Sequence, residues 1–133
     1  MLLGLLLWGC AEQPAARWLE LGQVEPELIE PGSALTIDSS GLPAGRPCEV
    51  ELRGRMYRPG LPPMDVAARL QGRAVSDTQA AVLLSTRELG QLGGHGSFEG
   101  ELELSFAARG GEGRVSGTRA LRFDVSWPFA RGA

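Results

Sequence analysis

The 133-residue sequence contains no lysine, no asparagine and only one histidine. Without lysine, a phosphate-binding loop of the Walker type cannot be completed, because that loop uses a lysine to contact the phosphates. All 13 basic residues are arginines, 16 residues are acidic, and the formal net charge is −3. This balance argues against a nucleic-acid-binding protein, which needs a basic face, and against electrostatic attraction to an anionic membrane.

Cysteine is also scarce, since the chain has only Cys10 and Cys48. Two cysteines and one histidine are too few for a structural zinc site. Two interpretations of Cys10 remain open: it carries a lipid, or it forms a disulfide with Cys48 in an oxidising compartment. Cys48 alternates with Val50 and Leu52, which predicts that its side chain is buried as a small hydrophobic group.

Long apolar runs are missing, and the clearest apolar run covers only residues 1–9. Such a run is too short to span a bilayer as a helix, and it is typical of the apolar core of a signal peptide. No basic residue precedes it, which favours a translation start upstream of Met1. Residues 10–17 are mostly small or polar and are predicted to form a tether.

The end of the apolar run resembles the lipobox of bacterial lipoproteins. Leu7, Gly9 and Cys10 match that pattern, and Trp8 stands where the family has a small residue. The resemblance implies cleavage before Cys10 and acylation of its thiol, so that the membrane becomes a partner through lipid on Cys10. Ala11 resembles the residue that follows the cysteine in outer-membrane lipoproteins. We therefore expect an exported protein that is lipid-anchored at the cell envelope, and Ala11 makes the outer membrane one candidate location. The alternative is an ordinary buried N-terminal strand or helix in which Cys10 occurs by chance.

Glycine and proline, in contrast, are abundant, with 19 and 9 residues and no repeating period. This composition is typical of short strands joined by turns. Over residues 97–106, apolar residues and glycine alternate with glutamate and serine, which predicts a strand with one buried and one solvated face. The same period recurs over residues 48–58 and 64–70, and the Pro-Gly turn between them predicts a hairpin. Shorter strands are predicted over residues 18–21, 34–38, 81–85 and 121–127.

The strand pattern predicts the fold class and the organisation of the chain. Residues 81–85 form a continuous apolar run, which favours a central strand. Residues 85–94 predict a single helical turn that Ser85 or Thr86 caps and Gly93 ends. About seven strands without a long helix predict an all-β fold, an immunoglobulin-like antiparallel β-sandwich. The expected segments are a signal-peptide remnant (1–9), a tether (10–17), the β-sandwich domain (18–128) and a C-terminal tail (129–133).

Part of the chain resembles the IPT/TIG domains, a family of immunoglobulin-like sandwiches. Residues 30–42 contain a Pro-Gly turn and a short strand that runs into glycine, and residues 74–82 contain a Ser-x-Thr turn before an apolar strand. The match covers residues 24–107, with Leu42 in place of the family's phenylalanine. The resemblance implies a sandwich that binds or spaces other components, and it supplies no site residues.

No residue pattern in the sequence points to catalysis. His95 lies in a glycine-rich turn without a partner to orient it as a general base, and the Gly-x-Ser-x-Gly motif of serine nucleophiles is absent. Glu99, Glu101 and Glu103 share a strand face that is predicted to be solvated, and the four aspartates are scattered rather than clustered in a calcium loop. We therefore predict a protein that is not an enzyme and has no metal and no cofactor.

The candidate binding residues lie around the predicted hairpin. Two interpretations of its arginines remain open: a patch for an anionic polymer or acidic partner, or cross-strand ion pairs with glutamates. These arginines are Arg53, Arg55, Arg58, Arg69 and Arg73. Tyr57, on the polar face beside the turn, is the best candidate for an exposed aromatic ring. We predict ligand contacts at Tyr57, Arg55 and Arg58.

These residues belong to a predicted protein-binding or structural module whose partner is another envelope protein. Sheet edges and inter-strand loops are the usual contact surfaces of such folds. The alternative is a polysaccharide-binding module at the cell surface, in which Tyr57 and the arginines contact the sugar chain.

Overall fold

A computed structural model describes residues 17–107 and 114–126 of the chain. Nearly all described secondary structure is strand, which confirms the prediction of an all-β fold. The strands are β1 (Arg17–Trp18), β2 (Val24–Glu25), β3 (Leu28–Ile29), β4 (Ser33–Asp38), β5 (Pro47–Tyr57), β6 (Met64–Ala74), β7 (Gln79–Leu84), β8 (Gly96–Phe106) and β9 (Val115–Val125), and the helix is α1 (Thr86–Gln91). The predicted leader, Cys10, the tether up to residue 16, Trp127 and the predicted tail lie outside the described residues.

The long strands β5, β6, β8 and β9 follow from the alternation of polar and apolar residues. On β5, Val50 and Leu52 are fully buried, while Arg53 and Arg55 face solvent. Because successive side chains of a strand point to opposite faces, this pattern gives one core face and one wet face. The predicted hairpin of β5 and β6 is present, with antiparallel pairing from Pro47 to Met56 of β5.

Two glycines set how closely β5 and β8 approach each other. Gly54 and Gly100 lie directly opposite in the antiparallel pair. A Cβ atom on Gly54 would lie 2.2 Å from the carbonyl oxygen of Glu99, and one on Gly100 would lie 2.2 Å from that of Arg53. The two backbones therefore pack at a distance that no other residue type allows.

The described strands form one mixed, nine-stranded sheet. Their order is β1-β9-β8-β5-β6-β7-β4-β2, and β3 also pairs with β9. β4 to β9 pair only antiparallel among themselves, whereas β1 and β3 run parallel to β9. The continuous apolar run of the sequence forms β7, which lies between β6 and β4 as expected for an inner strand.

The sheet has two halves that curl around a single core. We call β5, β6, β8 and β9 the long-strand half and β2, β4 and β7 the short-strand half. They are joined at β6 and β7 by only two residue pairs, Arg73 with Ala81 and Ala74 with Ala80. Buried side chains of both halves nevertheless belong to one hydrophobic cluster.

Residues 17–29 link the two ends of the sheet. The Leu19 amide donates to the Ser116 carbonyl of β9 (2.7 Å), and the Gly22 amide donates to the Asp38 carbonyl of β4 (2.6 Å). Farther along, the Asp124 amide donates to the Glu27 carbonyl (2.7 Å). This N-terminal segment is therefore hydrogen-bonded to both halves, although the predicted first strand is shorter than expected and β2 and β3 were not predicted.

The predicted helical turn is α1. The Ser85 amide donates to Glu88 Oε1 (3.0 Å), and the Ser85 hydroxyl contacts the same carboxylate oxygen, which lowers the pKa of Glu88. Leu89 and Leu92 are fully buried and belong to the shared core. Within residues 17–107 and 114–126, no helix has the length and apolar character needed to cross a bilayer.

Candidate functional site

An open groove of about 570 Å³ lies where β5 ends, and we call it the Tyr57 groove. It combines aromatic, aliphatic, cationic and acidic side chains within one recess. Its lining residues are Leu28, Tyr57, Arg58, Pro59, His95, Gly96, Ser97, Asp124, Val125 and Ser126.

Strand register brings four of these side chains into one row. Tyr57 of β5 is paired with Ser97 of β8, Ser97 with Asp124 of β9, and Asp124 with Leu28 of β3. All four positions lie on the outer face of the sheet, because their neighbours along each strand, such as Phe98, are buried. Tyr57 is 43% exposed and Leu28 is 55% exposed, so the row presents two large apolar groups to solvent.

The rim of the groove depends on Gly96 and Arg58. Gly96 has a φ of 153°, and a Cβ atom there would lie 2.6 Å from the carbonyl oxygen of Tyr57 and 3.1 Å from Cγ of Arg58. Glycine at this position therefore allows the aliphatic part of Arg58 to pack over the start of β8.

The guanidinium of Arg58 has an unsatisfied donor. Its Nε is buried and has no hydrogen-bond partner among the described residues. A buried donor without an acceptor costs about 1–3 kcal/mol. A ligand acceptor would recover that free energy once the Arg58 side chain turns its Nε towards the groove.

The other polar side chains of the groove are Ser97, Asp124, His95 and Ser126, and the first two are hydrogen-bonded to each other. Ser97 Oγ donates to Asp124 Oδ1 at 2.7 Å, which holds the carboxylate on the floor of the groove. His95 is exposed in the turn before β8, as the sequence predicts.

The remaining hairpin arginines are held on the outer face of the long-strand half. Arg55 Nε lies 3.4 Å from Asp65, outside the groove, and Arg53 lies 3.0 Å from Glu51. Arg69 also contacts Glu51, at 3.5 Å. Of the three predicted ligand contacts, the structure therefore brings Tyr57 and Arg58 together in one recess and places Arg55 in an ion pair beside it.

A second recess, of about 560 Å³, lies at the opposite end of β5 beside Cys48. Cys48 forms no disulfide with any described residue, and it is 4% exposed, which confirms the prediction that it is buried. Burial raises the pKa of the Cys48 thiol to about 11, and the charge of Arg73 opposes part of this rise. A thiol with a raised pKa is a poor nucleophile at neutral pH.

Neither a metal-binding cluster nor a known relative identifies the ligand of this groove. Within the two described ranges, no group of three histidine, cysteine, aspartate or glutamate side chains is placed to hold a metal ion. No model of a known protein family matches the chain, and no curated protein matches it significantly.

Sequence reasoning missed part of the groove. Leu28 lies on a two-residue strand that pairs with β9, and no local pattern indicates that contact. Ser97 and Asp124 have the outward positions of predicted strands, so the alternation places them on the wet face. Their neighbour relation to Tyr57 depends on the strand order, which alternation alone does not determine.

Proposed function

We propose that this chain is a non-catalytic lipoprotein of the cell envelope whose β domain binds a partner protein through the Tyr57 groove. The observation that supports the proposal most directly is the Arg58 side chain, whose buried Nε lacks an acceptor among the described residues and which lines the groove together with the exposed Tyr57 and Leu28. Tyrosine and arginine beside apolar surface are the residues that dominate protein–protein contacts.

The groove favours a partner segment that carries a carboxylate next to an apolar side chain. The carboxylate would accept from Arg58, and the apolar group would cover Tyr57 and Leu28. Asp124 would face the same segment, and its charge would disfavour an acidic group placed directly over it. The partner's carboxylate is therefore expected near Arg58 and its apolar side chain nearer the row of Tyr57 and Leu28.

The anchor belongs to the same proposal. Cys10 would carry lipid, and β1 begins at Arg17. A fully extended chain between these residues spans at most about 25 Å. The domain would therefore stay close to the membrane, and the groove would meet partners that lie at or near the envelope surface.

The immunoglobulin-like interpretation of the fold is also proposed. The two halves of the sheet would be the two layers of a sandwich, because they enclose one core and only two residue pairs join β6 to β7. The parallel strands β1 and β3 depart from a purely antiparallel sandwich. Cross-strand nuclear Overhauser effects between β6 and β7 are expected to stop after the pair of Arg73 and Ala81. A ladder that continues along both strands would contradict the two-layer interpretation.

The partner proposal is tested by photo-crosslinking in cells with a photoreactive residue at position 57. A discrete protein adduct is expected, and Arg58→Glu is expected to abolish it. The matched control places the same residue at position 55, which lies two residues earlier on the same face but outside the groove. Equal adducts from both positions, or an adduct that survives Arg58→Glu, would rule out the groove as the contact surface.

The anchor is tested separately by metabolic lipid labelling and intact mass of the native chain and of Cys10→Ser. Label that depends on Cys10 is expected. An unlabelled chain whose mass is two hydrogen atoms below that of the reduced form would instead indicate a Cys10–Cys48 disulfide and remove the anchor from the proposal.

A polysaccharide is the second candidate ligand, because the Tyr57 ring is exposed beside a cation in an open groove. Retention on an acidic cell-surface glycan would then fall with Tyr57→Ala and persist with Tyr57→Phe, which keeps the stacking surface. Retention that survives Tyr57→Ala would eliminate this candidate.

A further inference from the structure

One edge of β6 has no strand beside it. β6 pairs with β5 from Met64 to Arg73, but it pairs with β7 only at Arg73 and Ala74. Among the described residues, the stretch 64–71 has no strand partner on its other side; Gly72 already packs against the Ala81 backbone of β7, and Gly93 packs against the Met64 side chain at the other end. Open edges of this kind are templates for pairing with another chain.

The exposed side chains along this edge have a self-complementary charge pattern. Asp65, Ala67 and Arg69 face solvent in succession, while Val66 and Ala68 are buried. In an antiparallel pair of two identical strands centred on Ala67, Asp65 of each copy lies opposite Arg69 of the other. Opposite charges at directly paired positions stabilise a sheet, and the two-fold symmetry forms this pair twice.

We propose that two copies of this chain associate through their β6 edges, in the antiparallel register that places Ala67 opposite Ala67 of the second copy. The two long-strand halves would then form one continuous sheet across the dimer. This surface shares no residue with the Tyr57 groove, so the inference does not rest on the proposed function.

The ion pairs within one chain extend this complementarity. Arg55 lies 3.4 Å from Asp65, and Arg69 lies 3.5 Å from Glu51. Across the dimer, four charged side chains would lie side by side on neighbouring strands. In order, they are Arg55 and Asp65 of one copy, followed by Arg69 and Glu51 of the second copy. The charges alternate in sign at every step, so each central charge has an opposite charge on both sides.

Only one register gives this arrangement. Moving the centre by one residue along the strand places Asp65 opposite Ala67 or opposite Gln71, and the paired charges are lost. Natural proteins protect edge strands with charged side chains (above all lysine), with proline or with inward-pointing charge. Residues 64–72 contain no lysine, proline or inward-pointing charge, and the two exposed charges, Asp65 and Arg69, are opposite in sign. The small exposed side chain of Ala67 leaves room for close approach at the centre.

The first test is disulfide trapping in the full chain with Cys10→Ser, so that Cys48 is the only native thiol. Directly opposite residues of an antiparallel pair have Cα atoms about 4.5–5.5 Å apart, within the range of a disulfide. Ala67→Cys is expected to give a covalent dimer under mild oxidation. The matched control is Ala120→Cys, an exposed alanine on the same face of β9, which is expected to stay monomeric.

The second test is sedimentation equilibrium of the same chain in a density-matched detergent. A concentration-dependent dimer is expected, and Arg69→Asp is expected to raise its dissociation constant roughly tenfold, because both interchain pairs become repulsive. Adding Asp65→Arg to that variant restores opposite charges across the interface but places like charges beside Arg55 and Glu51, so it is expected to recover only part of the lost affinity. Circular dichroism of each variant shows whether the fold is retained.

Three results would overturn the proposal. One is a chain that stays monomeric up to about 1 mM, where association is too weak to be specific. Another is a dimer whose dissociation constant is the same in Arg69→Asp. The third is equal trapping through Ala120→Cys and Ala67→Cys, which would indicate random collision rather than a specific pairing.

Discussion

The two halves of the sheet differ in what they show to solvent. The outer face of the long-strand half carries charges on neighbouring strands, with Arg53 in contact with both Glu51 and Glu103. On the short-strand half, the outward positions of β4 and β7 are mostly small or apolar, and Leu83, paired with Ala34, is 63% exposed. The solvent-facing surface of the long-strand half is therefore charged, whereas that of the short-strand half is mostly uncharged.

The two halves also differ in the interactions that fix their positions in the fold. The long strands pair along most of their length, so register alone orients their side chains. The short-strand half depends on its neighbours: the Gly22 amide bonds to Asp38 on β4, and the buried Leu89 belongs to the core that both halves share. Four predictions test this contrast, starting with the largest expected effect.

Leu89→Ala tests whether the two halves unfold together. The side chain is fully buried, and its removal is expected to lower the free energy of unfolding by about 3–4 kcal/mol. Because both halves share one core, chemical denaturation should still give a single transition with an unchanged slope. A biphasic curve, in which the short-strand half unfolds first, would show that the halves are separate units.

Gly54→Ala tests the close approach of β5 and β8 within the long-strand half. The added Cβ would lie 2.2 Å from the Glu99 carbonyl oxygen, and separating β5 from β8 is expected to cost about 3 kcal/mol. Gly22→Ala is the matched control, because a Cβ there meets Asp38 at an ordinary 3.4 Å, and we expect a change below about 1 kcal/mol. Equal unfolding free energies for the two variants would contradict the close approach.

Cys48, on β5 of the long-strand half, is expected to make the free energy of unfolding decrease at alkaline pH. Its pKa rises from 9.0 to about 11 on folding, so the unfolded chain loses this proton first as the pH increases. The stabilisation is complete below pH 9.0 and is lost as the pH rises towards 11, by roughly 2–3 kcal/mol in total. The chain has no lysine and one tyrosine, so few other side chains titrate in this window.

Urea unfolding from pH 8 to 11 measures this dependence, and Cys48→Ala is its control. The variant is expected to be less stable at every pH, because it leaves a small cavity, but to lose the alkaline slope. A slope that persists in Cys48→Ala would assign the dependence to another group.

Leu83→Gln should have the smallest effect. The side chain is mostly exposed on the outer face of the short-strand half, so the free energy of unfolding is expected to change by at most about 0.5 kcal/mol. Its neighbour Leu84 is fully buried, and Leu84→Ala is expected to cost about 2–5 kcal/mol. If Leu83→Gln proves as costly as Leu84→Ala, the outer face of β7 is covered in solution.

The sequence was sufficient to predict the long-strand half. Alternation located β5, β6 and β8 to within a few residues, and it placed Cys48 in the core and Glu99 in solvent. Alternation also located the end of β9, but the strand begins at Val115, well before the predicted residue 121. Its early part holds Gly117 and three exposed residues in succession, so the period of two is lost there.

The connections between the halves were not predictable from local patterns. β2 and β3 have two residues each, too few to show a period. Their pairing with Ile37 and Val125 joins parts of the chain that are distant in sequence. The same reason limited prediction of the Tyr57 groove: Tyr57 and Arg58 are adjacent in the chain and were identified, whereas Leu28 and Asp124 reach the groove only through the strand order.

The contacts of the N-terminal segment with β9 mean that this segment can complete its pairing only late in folding. Arg17 pairs with Val115 of the last strand, and Arg119 reaches back to the Gly22 carbonyl, 97 residues away in sequence. Contacts between such distant residues slow folding, because the loop between them must close first. The sheet therefore cannot close around its core until β9 has been synthesised, so most of the described chain is made before its first strand finds its partner.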